Sequence, residues 1–435
     1  MQHRDVKRRA VASFIPLCLA VACSDGEVNL GDGLISQDVT QSGRCADSPR
    51  LEQEIYVNDQ AELDQLSGCE RIGGLRIVPF EGIDLTALSS LRRVDGPLDI
   101  GADPEVYPED FDEQQEFLAP IRALQEAGWV DSLHGLENLE SVQAFYLTGV
   151  GVSDLSELES LETVDGLVVR YAHDLQNLNG LGASPRLLWI TYADALQSLD
   201  GLQLESNAGS LILEWLPALV NIDALAQATT IDTLILSGTG LTSFPQIGQL
   251  VYATSVSIGA NEALVDLSAL GSLQGVGVLT IGGNPSLTAL PQFPQLSSFD
   301  DFIVIGNAAL TDVSLDFPAL EARKRPIGEQ GLELNDGGYI EISYNDNLQH
   351  ITSPANTGSA QAVSVFQNPS LLDLDLGQLT HADVLLIDDN AVLSAVTAPS
   401  LATVDLLEVM NNPALSTAVF DGVDTFTRQI SGNAD

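Results

Sequence analysis

The chain carries 61 acidic residues against 17 basic ones, a formal charge of −44 over 435 residues. Carboxylates can act as general acids and bases or hold hard cations. Asp373, Asp375, Asp388 and Asp389 lie close together in the repeat register described below and could contribute to a Ca²⁺ site. Calcium takes about six to eight oxygens, however, and no glycine–aspartate nonapeptide repeat is present to supply them. Abundance explains these aspartates more simply. The five histidines, His3, His134, His173, His350 and His381, are scattered without H-E-x-x-H or comparable ligand spacing. Nucleophile-elbow, phosphate-loop and dinucleotide motifs are also missing from the sequence. These residues therefore point to no catalytic site, no resident metal and no cofactor.

Other side chains are better suited to binding than to bond making. Tyr146, Tyr171, Trp189, Tyr192 and Trp215 fall in or just after short apolar runs. Rings presented on a sheet can stack on sugars or pack on a protein. The alternative is that Trp189 and Trp215 fill the interior of wide coils. Arg323, Lys324 and Arg325 form a basic cluster in an otherwise acidic stretch. It either pairs with nearby acid or marks a partner contact. The net charge makes nucleic acid and anionic lipid surfaces poor partners.

These residues are carried by a repeat. The phrase LTIGGNPSL (279–287) returns as VSIGANEAL (256–264), FIVIGNAAL (302–310), IEISYNDNL (340–348), VSVFQNPSL (363–371), LLIDDNAVL (385–393) and LEVMNNPAL (407–415). Each copy has an apolar run, an asparagine three residues after its last apolar position, and a leucine three further on. The run ends at Val169, Ile190, Leu213, Leu236, Ile258, Ile281, Val304, Ile342, Val365, Ile387 and Val409. The steps are 21–23 residues, except for 38 between Val304 and Ile342. Such a period specifies stacked coils. Leucines every third residue between the strands leave room for turns or 3₁₀ pieces, not for a full helix. The expected fold is a β solenoid: a right-handed parallel β-helix, or leucine-rich-repeat-like coils of about 22–23 residues with short convex segments.

An asparagine side chain both donates and accepts. Stacked in successive coils, Asn261, Asn284, Asn307, Asn345, Asn368, Asn390 and Asn412 would form a buried structural ladder. Earlier coils have Asp103, Ala172, Ala193, Leu216 and Thr239 at that place, so the N-terminal half must turn differently. Two insertions interrupt the period. One spans about 104–132, where Phe117, Ile121 and Leu124 give helical spacing from about Asp112 to Ala127. The other spans about 318–338 and contains the basic cluster. Insertions map to one face of a solenoid, often the binding face.

A second phrase, CERIGGLRI (69–77), LSSLRRVDGPLDI (88–100) and LESLETVDGLVV (158–169), resembles the receptor L-domain family, itself related in form to leucine-rich repeats. The resemblance covers much of residues 69–420 as a pattern and implies coil architecture. It departs from the receptors in having no cysteine-rich module between lobes and no kinase. At the N-terminus, Lys7, Arg8 and Arg9 precede an apolar run from Ala10 to Ala22, a signal peptide over residues 1–22 that is too short to span a membrane. LAVAC ending at Cys23 resembles the lipobox of bacterial lipoproteins, with Ala20 in place of the usual leucine. That resemblance implies cleavage before Cys23, lipid on its sulfur, and membrane attachment through the anchor. Ser24 at the next position resembles an outer-membrane delivery signal. A plain secretory signal remains the alternative.

Residues 23–44 then read as a lipidated flexible tether, and 45–435 as the solenoid. Cys45 and Cys69 remain as a pair in an oxidising compartment, and a disulfide between them would protect the exposed first coil. The expected protein is a non-enzymatic cell-envelope lipoprotein, a platform for a protein or glycan ligand. A structural or adhesive envelope protein is one alternative, and a polysaccharide-acting enzyme on a β-helix another.

Overall fold

The computed structural model describes residues 54–78, 80, 82–101, 130–314, 326–327, 332–333, 338–352 and 358–434. The chain is a parallel β solenoid built as two compact units. One holds the described residues up to Leu175 together with Asn179–Ala193; the other holds Gln176–Leu178 and the residues from Asp194 onward.

The first unit opens with β1 (Glu54–Val57) and one short helix, α1 (Gln60–Asp64). Asp59 caps α1, its carboxylate accepting from the Glu62 amide at 2.8 Å. Gln60 ties the helix to the next coil, donating to the Asp84 carbonyl and accepting from its amide, both at 2.9 Å. β2 (Arg71–Ile72), β3 (Gly74–Ile77), β4 (Arg93–Ile100), β5 (Ser141–Thr148), β6 (Thr163–Arg170) and β7 (Leu187–Thr191) follow. Strands β1, β3, β4, β5, β6 and β7 pair in parallel, each with the next. The pairing stacks Leu75, Leu98, Phe145, Leu167 and Leu188 in one inward row, and Ile77, Ile100, Leu147, Val169 and Ile190 in another. All ten are at most 1% exposed. Each such side chain contributes roughly 1.5–3 kcal/mol on burial. The register slips between Val94 and Pro97, a bulge where proline's missing amide costs no ladder bond.

The second unit contains β8 (Asn207–Leu216), β9 (Thr230–Thr239), β10 (Tyr252–Gly259), β11 (Gly275–Gly282), β12 (Ser298–Ile305), β13 (Asp312–Ser314), β14 (Pro326–Ile327), β15 (Leu332–Glu333), β16 (Tyr339–Ser343), β17 (His350–Thr352), β18 (Ser359–Phe366), β19 (Asp373–Asp375), β20 (His381–Asp388), β21 (Ala395–Thr397), β22 (Thr403–Met410) and β23 (Asp424–Ser431). The main ladder runs β8–β9–β10–β11–β12–β16–β18–β20–β22–β23, parallel throughout. Its early coils are closed by 3₁₀ turns at Asp223–Gln227, Pro245–Gln249 and Ser268–Ser272. Leu264, Leu267, Leu270 and Leu273 all point inward there, the three-residue spacing matching three residues per turn. Later coils replace these turns with a second parallel ladder, β13–β17–β19–β21. The helix expected between Asp112 and Ala127 lies outside the described residues. Within the second insertion the described part is β14 paired antiparallel with β15.

One backbone feature recurs at the end of the main strands. Gly149, Tyr171 and Tyr192 in the first unit are left-handed, as are Trp215, Gly238, Ala260, Gly283, Gly306, Tyr344, Gln367, Asp389, Asn411 and Gly432 in the second, with φ between 52° and 70°. This residue swings the chain so that the next one points into the coil. For non-glycine residues the conformation costs roughly 1–2 kcal/mol.

Candidate functional site

The inward residue after that turn defines what each coil can do. In the second unit the seven asparagines occupy a single column and are at most 1% exposed. From Asn284 on, each amide oxygen accepts from the preceding asparagine: Asn307 Oδ1 takes the Asn284 backbone amide at 3.1 Å and its Nδ2 at 3.2 Å. Each amide nitrogen donates to strand carbonyls, as Asn307 does to Ile281 at 3.0 Å and Ile305 at 3.3 Å. The column starts at Thr239, whose amide and hydroxyl donate to Asn261 Oδ1 at 2.9 and 2.6 Å. It ends at Asn433, which accepts from Asn412 and donates to Val409. Asn433 escaped the sequence reading because the final repeat lacks the usual apolar run. These amides have all their groups engaged in holding turns, so the column offers no ligand site.

The outer face of the first unit is different. Its inward rows leave the intervening residues facing out. Register aligns Tyr56, Arg76, Asp99, Tyr146, Val168 and Trp189 across six strands. Thr148, Arg170 and Thr191 make a parallel row two residues on. The Arg170 guanidinium lies 4.5 Å over the Trp189 ring, a contact worth about 0.5–1 kcal/mol where exposed. Arg76 Nε stands 3.2 Å from Glu54 Oε1 and 3.3 Å from Asp99 Oδ2. Asp99 is only 7% exposed. Its Oδ1 and the Nε of Arg76 are buried without a hydrogen bond.

Burial pushes the Asp99 carboxyl up to about 7; Arg76 and Arg170 pull it down, and Glu54 pushes it further up. Burial also raises the Tyr146 phenol, with Asp99 adding to the effect. The result is a row in which a desolvated carboxyl and two arginines sit among aromatic and aliphatic surfaces. A sugar ring can stack on the aromatic surfaces of such a row.

The structure therefore brings Tyr146 and Trp189 into this row. Tyr171 and Tyr192 occupy the left-handed turns immediately after β6 and β7, where their rings stack 5.0 Å apart and 7° from parallel. Trp215 belongs to the second unit and is 47% exposed. It does not fill a coil, because it too takes the turn position and Leu216 behind it points inward. Arg323, Lys324 and Arg325 lie outside the described residues, as do Cys23 and Cys45. Cys69 is buried and engaged in a disulfide.

The four aspartates considered for calcium are not gathered. Asp373 and Asp375 belong to β19 in the second ladder, where Asp373 Oδ2 meets His350 Nδ1 at 2.7 Å and Asp375 accepts from the Gly377 amide at 2.9 Å. Asp388 ends β20 in the main ladder and accepts from Asn411 at 3.1 Å, and Asp389 is a turn residue. Similar positions in the repeat thus fall on different sheets. Among the described residues, the one grouping of three potential metal ligands is His381, Asp383 and Asp405. Sequence spacing hid it because its members come from adjacent coils.

No family profile matches the chain, and no curated protein matches it. Among solved structures, the functional domain of InlJ from Listeria monocytogenes, which includes a cysteine ladder, is 14% identical with a TM-score of 0.26, over 80% of this chain and 66% of that one. A TLR13–ssRNA13 complex is 13% identical with a TM-score of 0.25, over 86% of this chain and 60% of that one. The chain thus spans less than two thirds of either structure. Similarity at this level assigns neither family nor function.

Proposed function

We propose that the chain is a non-enzymatic cell-envelope lipoprotein, anchored through Cys23 and stapled by a Cys45–Cys69 disulfide, whose solenoid binds an envelope glycan or protein. The single observation that carries the binding role is the outer row of the first unit. Arg76, Asp99, Tyr146 and Trp189 are set there by strand register alone, and Asp99 keeps a buried oxygen without a hydrogen bond. A fold selected only for stability has no use for a desolvated acid at that place. A glycan array and an envelope-extract pull-down, each with wild type and Trp189→Ala, test the reading. Saturable binding weakened at least tenfold by Trp189→Ala supports it. Absence of any saturable ligand, or binding indifferent to Trp189 and Tyr146, sinks it.

A second reading, hydrolysis or lyase chemistry on a polysaccharide, draws on one feature: Asp99 titrates near 7 with Glu54 close by. Shifted carboxyls of this kind serve as general acids and bases. Release of new chain ends from a bound glycan, abolished by Asp99→Asn, would favour that reading. Retention of binding with no new ends favours the platform.

A further inference from the structure

We propose that His381, Asp383 and Asp405 form a site for a divalent transition ion of the zinc class on the outer face of the second unit. His381 and Asp383 are two residues apart on β20. Ala382 between them is fully buried, so both side chains face outward. The pairs Ala382↔Val404 and Val384↔Leu406 place Asp405 of β22 directly beside Asp383. One ligand atom from each residue lies within 4.8 Å of the other two. A tetrahedral zinc site with bonds of about 2.0–2.2 Å sets its ligand atoms roughly 3.4 Å apart. Side-chain rotations of roughly 1 Å or a little more at the ligand atoms would close the difference.

The imidazole decides the chemistry. An exposed group of carboxylates alone would favour hard ions weakly, whereas one nitrogen with two oxygens suits zinc and its neighbours. His381 Nε2 is 3.0 Å from Asp383 Oδ1, so it already points into the group. Its other nitrogen is 2.7 Å from the hydroxyl of Thr403. A hydroxyl can donate or accept. Without an ion, Nε2–H donates to Asp383 and Nδ1 accepts from Thr403. With one, Nδ1–H donates to Thr403 and the Nε2 lone pair is free for the metal. Thr403 thus fixes the ring in either tautomer, the outer-shell role that metal-binding histidines require. Three protein ligands leave a fourth position open to water.

The site is independent of the binding row in the first unit, and its test does not use that row. Chelator-treated full-length chain is titrated calorimetrically with Zn²⁺ alone, in about 0.5 M NaCl to screen weak surface association. One saturable site per chain is expected. Affinity should fall at least tenfold in His381→Ala and in Asp383→Asn. It should be unchanged in His350→Ala, whose ring contacts Asp373 at 2.7 Å and belongs to no three-ligand group among the described residues. Asp405→Asn alters the most exposed member and keeps the test valid if another variant fails to fold. Wild type with no saturable Zn²⁺ binding overturns the proposal, as does equal affinity in His381→Ala or Asp405→Asn. Displacement of Zn²⁺ by equimolar Ca²⁺ overturns it too, because a hard ion would then be the better fit.

Discussion

The two units close their coils with the same left-handed turn and fill the next position in opposite ways. In the first unit the inward residues are Val150, Ala172 and Ala193, all fully buried. In the second they are Leu216 and Thr239, and then asparagine in every coil from Asn261 to Asn433. The turn amide itself is treated alike: Tyr171 donates to Thr191 at 3.1 Å, and Ala260 donates to Gly282 at 3.1 Å. What differs is the next amide, which in the second unit finds a side-chain oxygen one coil on. The column also survives the long insertion, because the Asn307 amide reaches Asn345 at 2.9 Å across a sequence separation of 38. The insertion leaves this interior contact intact. The comparison teaches that polar groups can be committed to the inside, as in the second unit, or left for the outer face, as in the first with Arg76, Asp99 and Arg170.

The largest expected effect breaks the interior column at its middle. Asn307→Ala strands the Asn284 amide and removes two donors from strand carbonyls. Each orphaned buried group costs about 1–3 kcal/mol, so a loss of roughly 3–5 kcal/mol is expected in denaturant unfolding. Asn433→Ala acts at the half-buried end and should cost only about 1 kcal/mol. Equal losses at the two positions would show that the column is a set of separate caps, not a connected ladder.

A smaller effect, of opposite sign, belongs to the outer face of the first unit. A free aspartate titrates near 3.9, whereas Asp99 in the fold titrates at about 7. Between these values the folded chain holds the extra proton. Stability therefore falls as pH rises through that window and is highest on its acid side. Asp99→Asn removes this dependence. The variant should gain on wild type between about pH 4 and about pH 8, by something on the order of 2–4 kcal/mol. A stability difference that stays flat across the range would mean that Asp99 is ionised and well solvated, and the outer row would lose its distinguishing group.

How much of this was legible in the sequence follows from where each feature gets its residues. The strands were readable because two inward rows demand apolar side chains at a fixed period. The asparagine positions stood out because a polar residue recurring behind an apolar run is rare without a partner. The outer row shares no motif. Arg76, Asp99, Tyr146 and Trp189 come from separate coils, and only register puts them together. His381, Asp383 and Asp405 were hidden for the same reason. The left-handed column was illegible from residue type, since tyrosine, tryptophan, alanine, glutamine and glycine all occupy it. Packing overrides local preference there, which is why Trp215 reads as a core residue yet stands exposed.

That column supplies the smallest and most discriminating test of the difference between the units. Ala260 sits at φ 54° in the second unit. A methyl group gains little there, so Ala260→Gly should relieve strain and stabilise by about 1 kcal/mol. Gly283, the equivalent residue one coil on at φ 63°, should lose a similar amount as Gly283→Ala. Tyr171 in the first unit has the same backbone at φ 55°, yet its ring is buried and stacked on Tyr192. Stacking of this kind is worth about 0.5–1.5 kcal/mol beyond burial. Tyr171→Gly should therefore destabilise despite easing the backbone. If Tyr171→Gly stabilised as Ala260→Gly does, the tyrosine stack would contribute nothing to the fold. The reason for the strain at that position would then have to be sought in what the two rings bind.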